Sequence, residues 1–223
     1  PLSTIYLWRN VVHEALKRNG APEGCVNIVL GNSKAIMNEW LTHPLVKDII
    51  FFGDSQTGLE IGRQAYLNGK KAVLELSGND FFFVWKDADV KGAVSSLVDA
   101  FLGSTQICMV PKTSFIHEAI YESFVNQMVE KTKKLKVGLP SDEHTYLTPV
   151  TKIKEFFDCL QEAIKKGAHI LCGGKRMDCQ GNPDSNGVYL EPTLLQINED
   201  DKAESMKGVQ EENFFPLLPL VRV

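Results

Sequence analysis

The sequence predicts an α/β fold in which parallel strands alternate with crossover helices. Three apolar strand-like segments, separated by two helix-like segments, follow one another within the first 76 residues. Glycine or polar residues stand at the junctions, as expected where a strand ends and a helix begins. After residue 75 the pattern changes to longer amphipathic helices and shorter strands, so we expect two domains, residues 1–75 and 76–223.

The elements of the first domain follow from the spacing of apolar residues. Apolar positions recur at helical intervals over residues 3–19, and Gly20 is expected to end that helix. Cys25–Leu30 is an unbroken apolar run and predicts a buried strand. The same reasoning predicts helices over 33–42 and 57–67 and strands over 48–52 and 72–76.

The second domain is predicted in the same way. Helical patterns cover residues 90–104, 116–136 and 152–166, and strand patterns cover 113–116 and 169–172. The segment 173–187 is rich in glycine, asparagine and aspartate, which is typical of a surface loop. Residues 198–208 are polar and partly helical in pattern, and residues 214–223 form a final strand-like segment.

Composition excludes several classes of function. The net charge is −4, so the chain lacks the basic surface that binds nucleic acid. No apolar run approaches the roughly 18 residues of a membrane helix, which excludes a membrane protein of that kind. The five cysteines are odd in number and form no CxxC pair, which favours free thiols in the reduced cytoplasm and no metal site.

The segment Phe51-Phe52-Gly53-Asp54-Ser55-Gln56-Thr57-Gly58 lies between a predicted strand and a predicted helix. A glycine there lets the backbone approach a ligand closely, and helix N-terminal amides suit a diphosphate. The same residues also fit an ordinary turn in which Asp54 or Ser55 caps the helix. The motif alone leaves both interpretations open.

Two further residues are candidates for chemistry. Glu75 stands at the end of the third predicted strand, where α/β sheets bind ligands, although an isolated glutamate beside a turn is usually a surface residue. Cys108 follows a predicted helix, and its thiolate would be a good nucleophile towards a carbonyl group. A cysteine between Ile107 and Met109 is more often a small buried apolar residue.

The order and spacing of these motifs resemble the aldehyde dehydrogenase superfamily. Its members carry FTGSxxxG, ELGGK and GQxC, and this sequence carries FFGDSQTG, ELSGND and TQIC, with Glu75 and Cys108 separated by 33 positions. The segments GAPEGCVNIVLG, HEAIYESFVNQM, GVYLEPTLL and EENFFPLLPLV extend the resemblance along essentially the whole chain.

The resemblance implies part of a Rossmann-like parallel-sheet cofactor domain followed by an α/β catalytic domain. It implies that Cys108 attacks the aldehyde to give a thiohemiacetal, which loses hydride to NAD or NADP and becomes a thioester. Glu75 would then activate the water that hydrolyses this thioester. The residues that the resemblance places at the cofactor are Gly53, Asp54 and Gly58 at the diphosphate, Leu76 at the nicotinamide amide, and Glu212 and Phe214 at the nicotinamide ribose.

Four positions depart from the family pattern. Asp54 replaces a small hydroxyl residue, and a carboxylate there would repel phosphate unless it caps the helix or contacts a metal ion. Ser77 replaces a glycine after Leu76, and Asn79 replaces a lysine. Thr105 replaces the glycine before the glutamine of the nucleophile motif.

Three functions remain open at the level of sequence. The first is hydrolytic oxidation of a small-molecule aldehyde to a carboxylic acid, the second is a relative that passes the acyl group to CoA, and the third is a catalytically weak structural member. Retention of Glu75 favours water as the acyl acceptor. We also expect a homo-oligomer, a dimer or tetramer, in the full-length protein. Because Pro1 and Val223 stand inside expected elements, we expect the isolated 223-residue chain to be inactive.

Overall fold

The computed structural model describes residues 2–198 and 202–223. The chain divides into two compact units, Pro1–Leu76 and Ser77–Val223. Each unit contains strands and helices, in agreement with the predicted α/β class.

The first unit opens with a long helical segment. Its parts are α1 (Leu2–Leu7), a π-helical turn (Trp8–Val12) and α2 (His13–Arg18). Gly20 follows with φ +73°, the left-handed conformation that commonly ends a helix and that glycine adopts without strain. The predicted helix over residues 3–19 is therefore confirmed, with one wider turn in its middle.

A helix, α3 (Ser33–Thr42), and a strand–helix–strand arrangement complete this unit. The arrangement consists of β1 (Asp48–Phe52), α4 (Ser55–Leu67) and β2 (Lys71–Glu75). The two strands pair in parallel, with Phe52 opposite Glu75. Apolar side chains of both helices pack on β1 in a small core formed by Leu41, Ile49, Ile61 and Ala65. The predicted parallel pairing through a crossover helix is confirmed.

The predicted strand Cys25–Leu30 is wrong. These residues are exposed, and none of them lies in a strand of the described structure. The Cys25 N–H donates to the Pro22 carbonyl at 3.2 Å and closes a turn instead of a sheet ladder. An apolar run becomes a strand only where a neighbouring strand supplies hydrogen bonds, and β1 pairs with β2 instead.

The second unit is built on a five-stranded sheet with the order β3-β4-β9-β8-β5. Its strands are β3 (Phe81–Val84), β4 (Thr113–Ile116), β5 (His169–Cys172), β8 (Thr193–Ile197) and β9 (Leu217–Arg222). Only the pairing of β5 with β8 is antiparallel among these strands. Two short strands, β6 (Arg176–Met177) and β7 (Tyr189–Leu190), pair separately.

Helices cover both faces of the five-stranded sheet. They are α5 (Val90–Leu97), which continues as a 3₁₀ segment (Val98–Thr105), then α6 (Glu118–Thr132), α7 (Ile153–Lys165) and the short α8 (Lys207–Gln210). Leu194 packs in the core with α5 and α6, whereas its neighbour Leu195 packs in the core with α7. Burial on both faces explains why β8 and β9 are almost entirely apolar.

Several predicted boundaries need correction. The helix expected over 90–104 is α-helical only to Leu97, and that expected over 116–136 is shorter at both ends. Strand β6 lies inside the predicted loop 173–187. Within the polar segment 198–208, residues 199–201 lie outside the described residues, and Ala203–Ser205 forms a 3₁₀ turn. None of the described helices has the length and apolar character needed to cross a membrane.

Candidate active site

The first predicted motif is a turn that links β1 to α4 in the first unit. The Gly53 N–H donates to the Glu75 carbonyl at 3.1 Å, which fixes the turn to the end of the neighbouring strand. A side chain at Gly53 would lie 2.6 Å from the Phe51 ring. Close packing against Phe51 therefore favours glycine at this position.

Glycines also bring α4 against β2. A Cβ atom added to Gly58 would overlap Leu76 and lie 3.1 Å from the Phe51 ring, and one added to Gly62 would lie 2.8 Å from Leu74. Leu76, a predicted cofactor contact, is partly buried at this packing surface. In dinucleotide-binding folds a glycine of the phosphate turn commonly serves helix–strand packing, and Gly58 fills that structural role.

Asp54 caps helix α4. Its carboxylate accepts a hydrogen bond from the Thr57 N–H at 2.8 Å, and this bond holds the pKa of Asp54 below its ordinary value. The carboxylate thus stays ionised at the helix N-terminus, where a bound diphosphate would also accept hydrogen bonds from the backbone N–H groups. The helix-cap interpretation of Asp54 is confirmed, and contact with a cofactor stays a prediction.

Glu75 is the last residue of β2, and its side chain is exposed. The strand is parallel to β1, so Glu75 and the turn at Gly53 lie at the same carboxyl edge of the pair. That edge is where open parallel sheets bind ligands. The predicted placement of Glu75 at the end of a strand is confirmed, and its role as a base stays a prediction.

The nucleophile motif lies on an unusual backbone in the second unit. Gly103, Ser104 and Thr105 have φ values of 58°, 60° and 62°, three successive residues in the left-handed region. Non-glycine residues held there cost about 1–3 kcal/mol each. This conformation accounts for the glycine that the family carries where this chain has Thr105.

Hydrogen bonds hold this strained segment. The Ser104 hydroxyl donates to the Thr148 carbonyl at 2.6 Å and accepts from the Thr148 N–H at 2.8 Å. The Thr105 hydroxyl donates to the Ala100 carbonyl at 2.8 Å, and the Gln106 amide donates to the Pro149 carbonyl at 2.8 Å. The backbone leading to Cys108 is therefore anchored both to the preceding helical segment at Ala100 and to the distant residues Thr148 and Pro149.

Cys108 itself lies in the turn that follows and is exposed. The alternative of a small buried apolar residue is thus wrong for Cys108, although it holds for Cys159, which lies on the buried face of α7. An exposed thiol on an anchored turn can reach a carbonyl compound from solution.

Lys112 is a residue that the sequence analysis did not single out. It is fully buried, and its ammonium donates to the carbonyls of Thr105 at 2.9 Å and Ile107 at 2.8 Å. The ammonium lies 4.7 Å from the centre of the Phe214 ring, and the Lys112 N–H donates to the Asp80 carbonyl at 2.8 Å. The detectable signal was a lysine four positions after Cys108, immediately before a strand that packs in the core.

The segment before β9 brings the remaining predicted residues to the same place. Glu212 acts electrostatically on Lys112, and its Oε1 atom is buried without a partner among the described atoms. Phe214 packs under the Lys112 ammonium. Asn213 between them is buried, and neither of its amide atoms has a partner in the described structure. The second unit thus gathers Cys108, Glu212 and Phe214 around one lysine.

The second unit thus presents an exposed thiol on an anchored turn of an α/β protein. Compared with known families, the chain matches the aldehyde dehydrogenase family over residues 1–223. It is 32% identical over 212 residues to a succinate-semialdehyde dehydrogenase [NADP(+)] of Escherichia coli, covering 92% of this chain and 41% of the relative. It is 30% identical to a lactaldehyde dehydrogenase of Methanococcus aeolicus, covering 100% of this chain and 45% of the relative.

Solved structures agree. A glyceraldehyde-3-phosphate dehydrogenase of Methanocaldococcus jannaschii, complexed with NADP, superposes with a TM-score of 0.86 at 29% identity, covering 100% of this chain and 46% of that one. The chain belongs to the aldehyde dehydrogenase family. It spans less than half the length of the curated relatives that it matches.

Proposed function

We propose that the complete protein oxidises an aldehyde to a carboxylic acid, with NAD or NADP as hydride acceptor. The observation that carries this proposal is the exposed Cys108 thiol on an anchored turn of a chain that belongs to the aldehyde dehydrogenase family. In balance, one aldehyde, one NAD(P)+ and one water give one carboxylic acid, one NAD(P)H and one proton.

The proposed steps place the covalent chemistry on Cys108. Its thiolate adds to the aldehyde carbon, and the resulting thiohemiacetal oxygen accepts a hydrogen bond from the Cys108 backbone N–H. When bound, the dinucleotide supplies the acceptor for the hydride that leaves this carbon. Glu75 then takes a proton from water as the water attacks the thioester, which releases the acid and restores the thiol.

Two of the residues present would favour binding of a dinucleotide, and one would oppose it. Glu212 Oε1 has no partner among the described atoms and could accept a hydrogen bond from a ribose hydroxyl, and Phe214, two positions further on, offers an apolar ring. The ionised Asp54 carboxylate opposes a diphosphate at the turn formed with Gly53 and Gly58. We therefore assign these residues and Leu76 to the cofactor, and we expect weaker diphosphate binding than a hydroxyl residue at position 54 would give.

Other assignments belong to the same proposal. Residues 1–75 form part of the cofactor domain and residues 76–223 belong to the catalytic domain. Names of similar proteins suggest small aldehydes such as lactaldehyde and succinate semialdehyde as first substrates to test. Cytoplasmic localisation and assembly into a homo-dimer or tetramer stay predictions.

The test is mass spectrometry of the complete protein after incubation with NAD(P)+ and each aldehyde in turn. We expect an acyl group on Cys108 in a rapidly quenched sample, none in Cys108→Ser, and the same adduct in the matched control Cys25→Ser. Absence of an acyl adduct on Cys108 with every aldehyde would remove the enzymatic proposal. Adding CoA and identifying the product as acid or acyl-CoA separates water from CoA as the acceptor.

A further inference from the structure

The contacts of Lys112 involve the peptide group that carries the Cys108 N–H. The carbonyl of Ile107 and the N–H of Cys108 belong to one peptide bond, and the Lys112 ammonium donates to that carbonyl at 2.8 Å. It also donates to the carbonyl of Thr105, so its position is fixed from two directions. The nucleophile turn is thereby tied to a buried positive charge.

A charged donor on a carbonyl changes the other end of the peptide bond. The ammonium draws electron density towards the carbonyl oxygen, and this makes the N–H of the same peptide a stronger donor. Hydrogen bonds that follow one another in such a chain strengthen each other by about 10–30% per bond. Because the peptide is planar, fixing the Ile107 carbonyl also fixes the direction of the Cys108 N–H.

We propose that Lys112 is a positioning residue that orients and polarises the Ile107–Cys108 peptide, so that the Cys108 N–H stabilises the oxyanion formed on the bound carbonyl carbon. This inference rests on the proposed function of Cys108. It adds a residue whose effect is confined to reactions that pass through an oxyanion.

Lys112 carries a positive charge although burying that charge costs free energy. Burial lowers the pKa of Lys112 to about 8, whereas Glu212, Cys108 and Asp80 act in the opposite direction. The exposed Lys152 also lies over the Phe214 ring, with its ammonium 5.7 Å from the ring centre. A side chain needed only to fill space would avoid the cost of a buried charge.

Two reagents separate the proposed effect from general thiol reactivity. p-Nitrophenyl acetate acetylates Cys108 through a tetrahedral oxyanion, with transfer of the acetyl group to sulfur and departure of p-nitrophenolate. Iodoacetamide alkylates the same thiolate by direct displacement of iodide, with no oxyanion. The ratio of the two rate constants does not depend on the fraction of thiolate, and peptide mapping by mass spectrometry assigns both products to Cys108.

In the complete protein, Lys112→Met is expected to lower this acylation-to-alkylation ratio by about tenfold, less than loss of an entire oxyanion donor. Lys152→Met is the matched control, because it removes the other cation over Phe214 but no bond to the turn. Lys112→Gln, which keeps a neutral donor, is expected to fall between the two. An unchanged ratio in Lys112→Met, or an equal loss in Lys152→Met, would overturn the inference.

The wild-type chain provides a test that does not depend on the folding of a variant. Because Lys112 loses its charge as the pH rises through about 8, the ratio is expected to decline between pH 7 and pH 9. A ratio that stays constant over this range contradicts the inference. If the ester leaves Cys108 unmodified in the wild type, the proposed function fails as well, whereas acylation with an insensitive ratio overturns only the role of Lys112.

Discussion

At Gly58, helix α4 lies so close to the end of β2 that any side chain would displace Leu76. The sequence motif allowed two interpretations of this residue, a ligand turn and an ordinary helix start. Packing supplies a third reason for glycine that no local pattern could reveal, because Leu76 is 18 positions away in the chain.

Gly58→Ala is expected to destabilise the first unit by about 1–3 kcal/mol, because the new methyl group must push Leu76 and the Phe51 ring aside. Gly78→Ala is the matched control, since a Cβ atom there meets nothing within 4 Å. Urea unfolding followed by circular dichroism measures both free energies. Equal effects of the two substitutions would show that the packing argument is wrong.

Among single residues of the site, Cys108 could be selected from the sequence because a motif surrounds it. Lys112 could not, because its importance comes from two carbonyl contacts that depend on the path of the backbone. Thr105 was recognised as a departure from the family, but its meaning required its φ of 62°. A candidate residue could thus be selected from its type and its motif, whereas its surroundings in the fold could not be predicted.

The segment from Gly103 to Gln106 behaves as one element, although it begins at the end of the 3₁₀ segment with backbone angles at Gly103 and Ser104 that are not helical. Its left-handed residues are held by bonds to residues 148–149, far along the chain. Such a segment stores strain that only its anchors maintain. We therefore expect the orientation of Cys108 to depend on Thr148 and Pro149, which anchor this segment.

Removal of one anchor tests this dependence. Ser104→Ala leaves the partly buried Thr148 N–H and carbonyl without their partner, and we expect a loss of about 1–3 kcal/mol of stability. Ser205→Ala is the control, because the exposed Ser205 hydroxyl makes one local bond to Lys202. Hydrogen exchange at residues 103–108 should rise in Ser104→Ala only. Unchanged exchange there would refute the anchoring role.

Predicted elements succeeded where the pattern and the hydrogen-bonding environment agreed. β1, α4 and β2 were predicted because an apolar strand, a capped helix and a second strand follow in order. Cys25–Leu30 failed because apolar character alone does not supply a neighbouring strand. β8 was overlooked because a strand buried in a mixed sheet shows no regular alternation of polar and apolar residues. The edge strand β3 was overlooked because its four apolar residues do not alternate with polar ones either, although two of its side chains are exposed.

For the whole molecule, the fold could be predicted mainly from the order of motifs along the chain. Local patterns indicated an α/β class, but the five-stranded order of the second unit joins strands far apart in sequence, such as β4 and β9. Pairing of that kind is decided by packing between distant segments, which a single sequence does not display. The expectation of a Rossmann-like cofactor domain followed by an α/β catalytic domain therefore came from the family resemblance and not from local periodicity.

Buried ionisable groups make the stability of the molecule depend on pH with opposing signs. The pKa of Lys112 is lowered to about 8 by burial, so this group favours the folded state increasingly as pH rises from about 8 to 10.5. Burial raises the pKa of the Cys159 thiol from 9.0 to about 12, and partial burial together with a hydrogen bond to Asp99 raises the pKa of Tyr146 from 10.0 to about 12. These two groups favour the folded state fully below their ordinary pKa and lose that contribution as the pH rises towards 12.

Comparison with a variant isolates one of these contributions. At neutral pH, Cys159→Ala should be destabilised by the loss of the sulfur that packs in the core under α7. Above pH 9 the unfolded wild-type chain gains thiolate while the folded chain keeps the thiol, so the wild type loses up to about 1.4 kcal/mol per pH unit that the variant does not lose. The difference in unfolding free energy should therefore shrink by about 2–3 kcal/mol between pH 8 and pH 11. Urea unfolding at each pH measures it, with Cys25→Ala as the control for loss of an exposed thiol. A difference that stays constant up to pH 11 would mean that Cys159 ionises as readily in the folded chain as in the unfolded one.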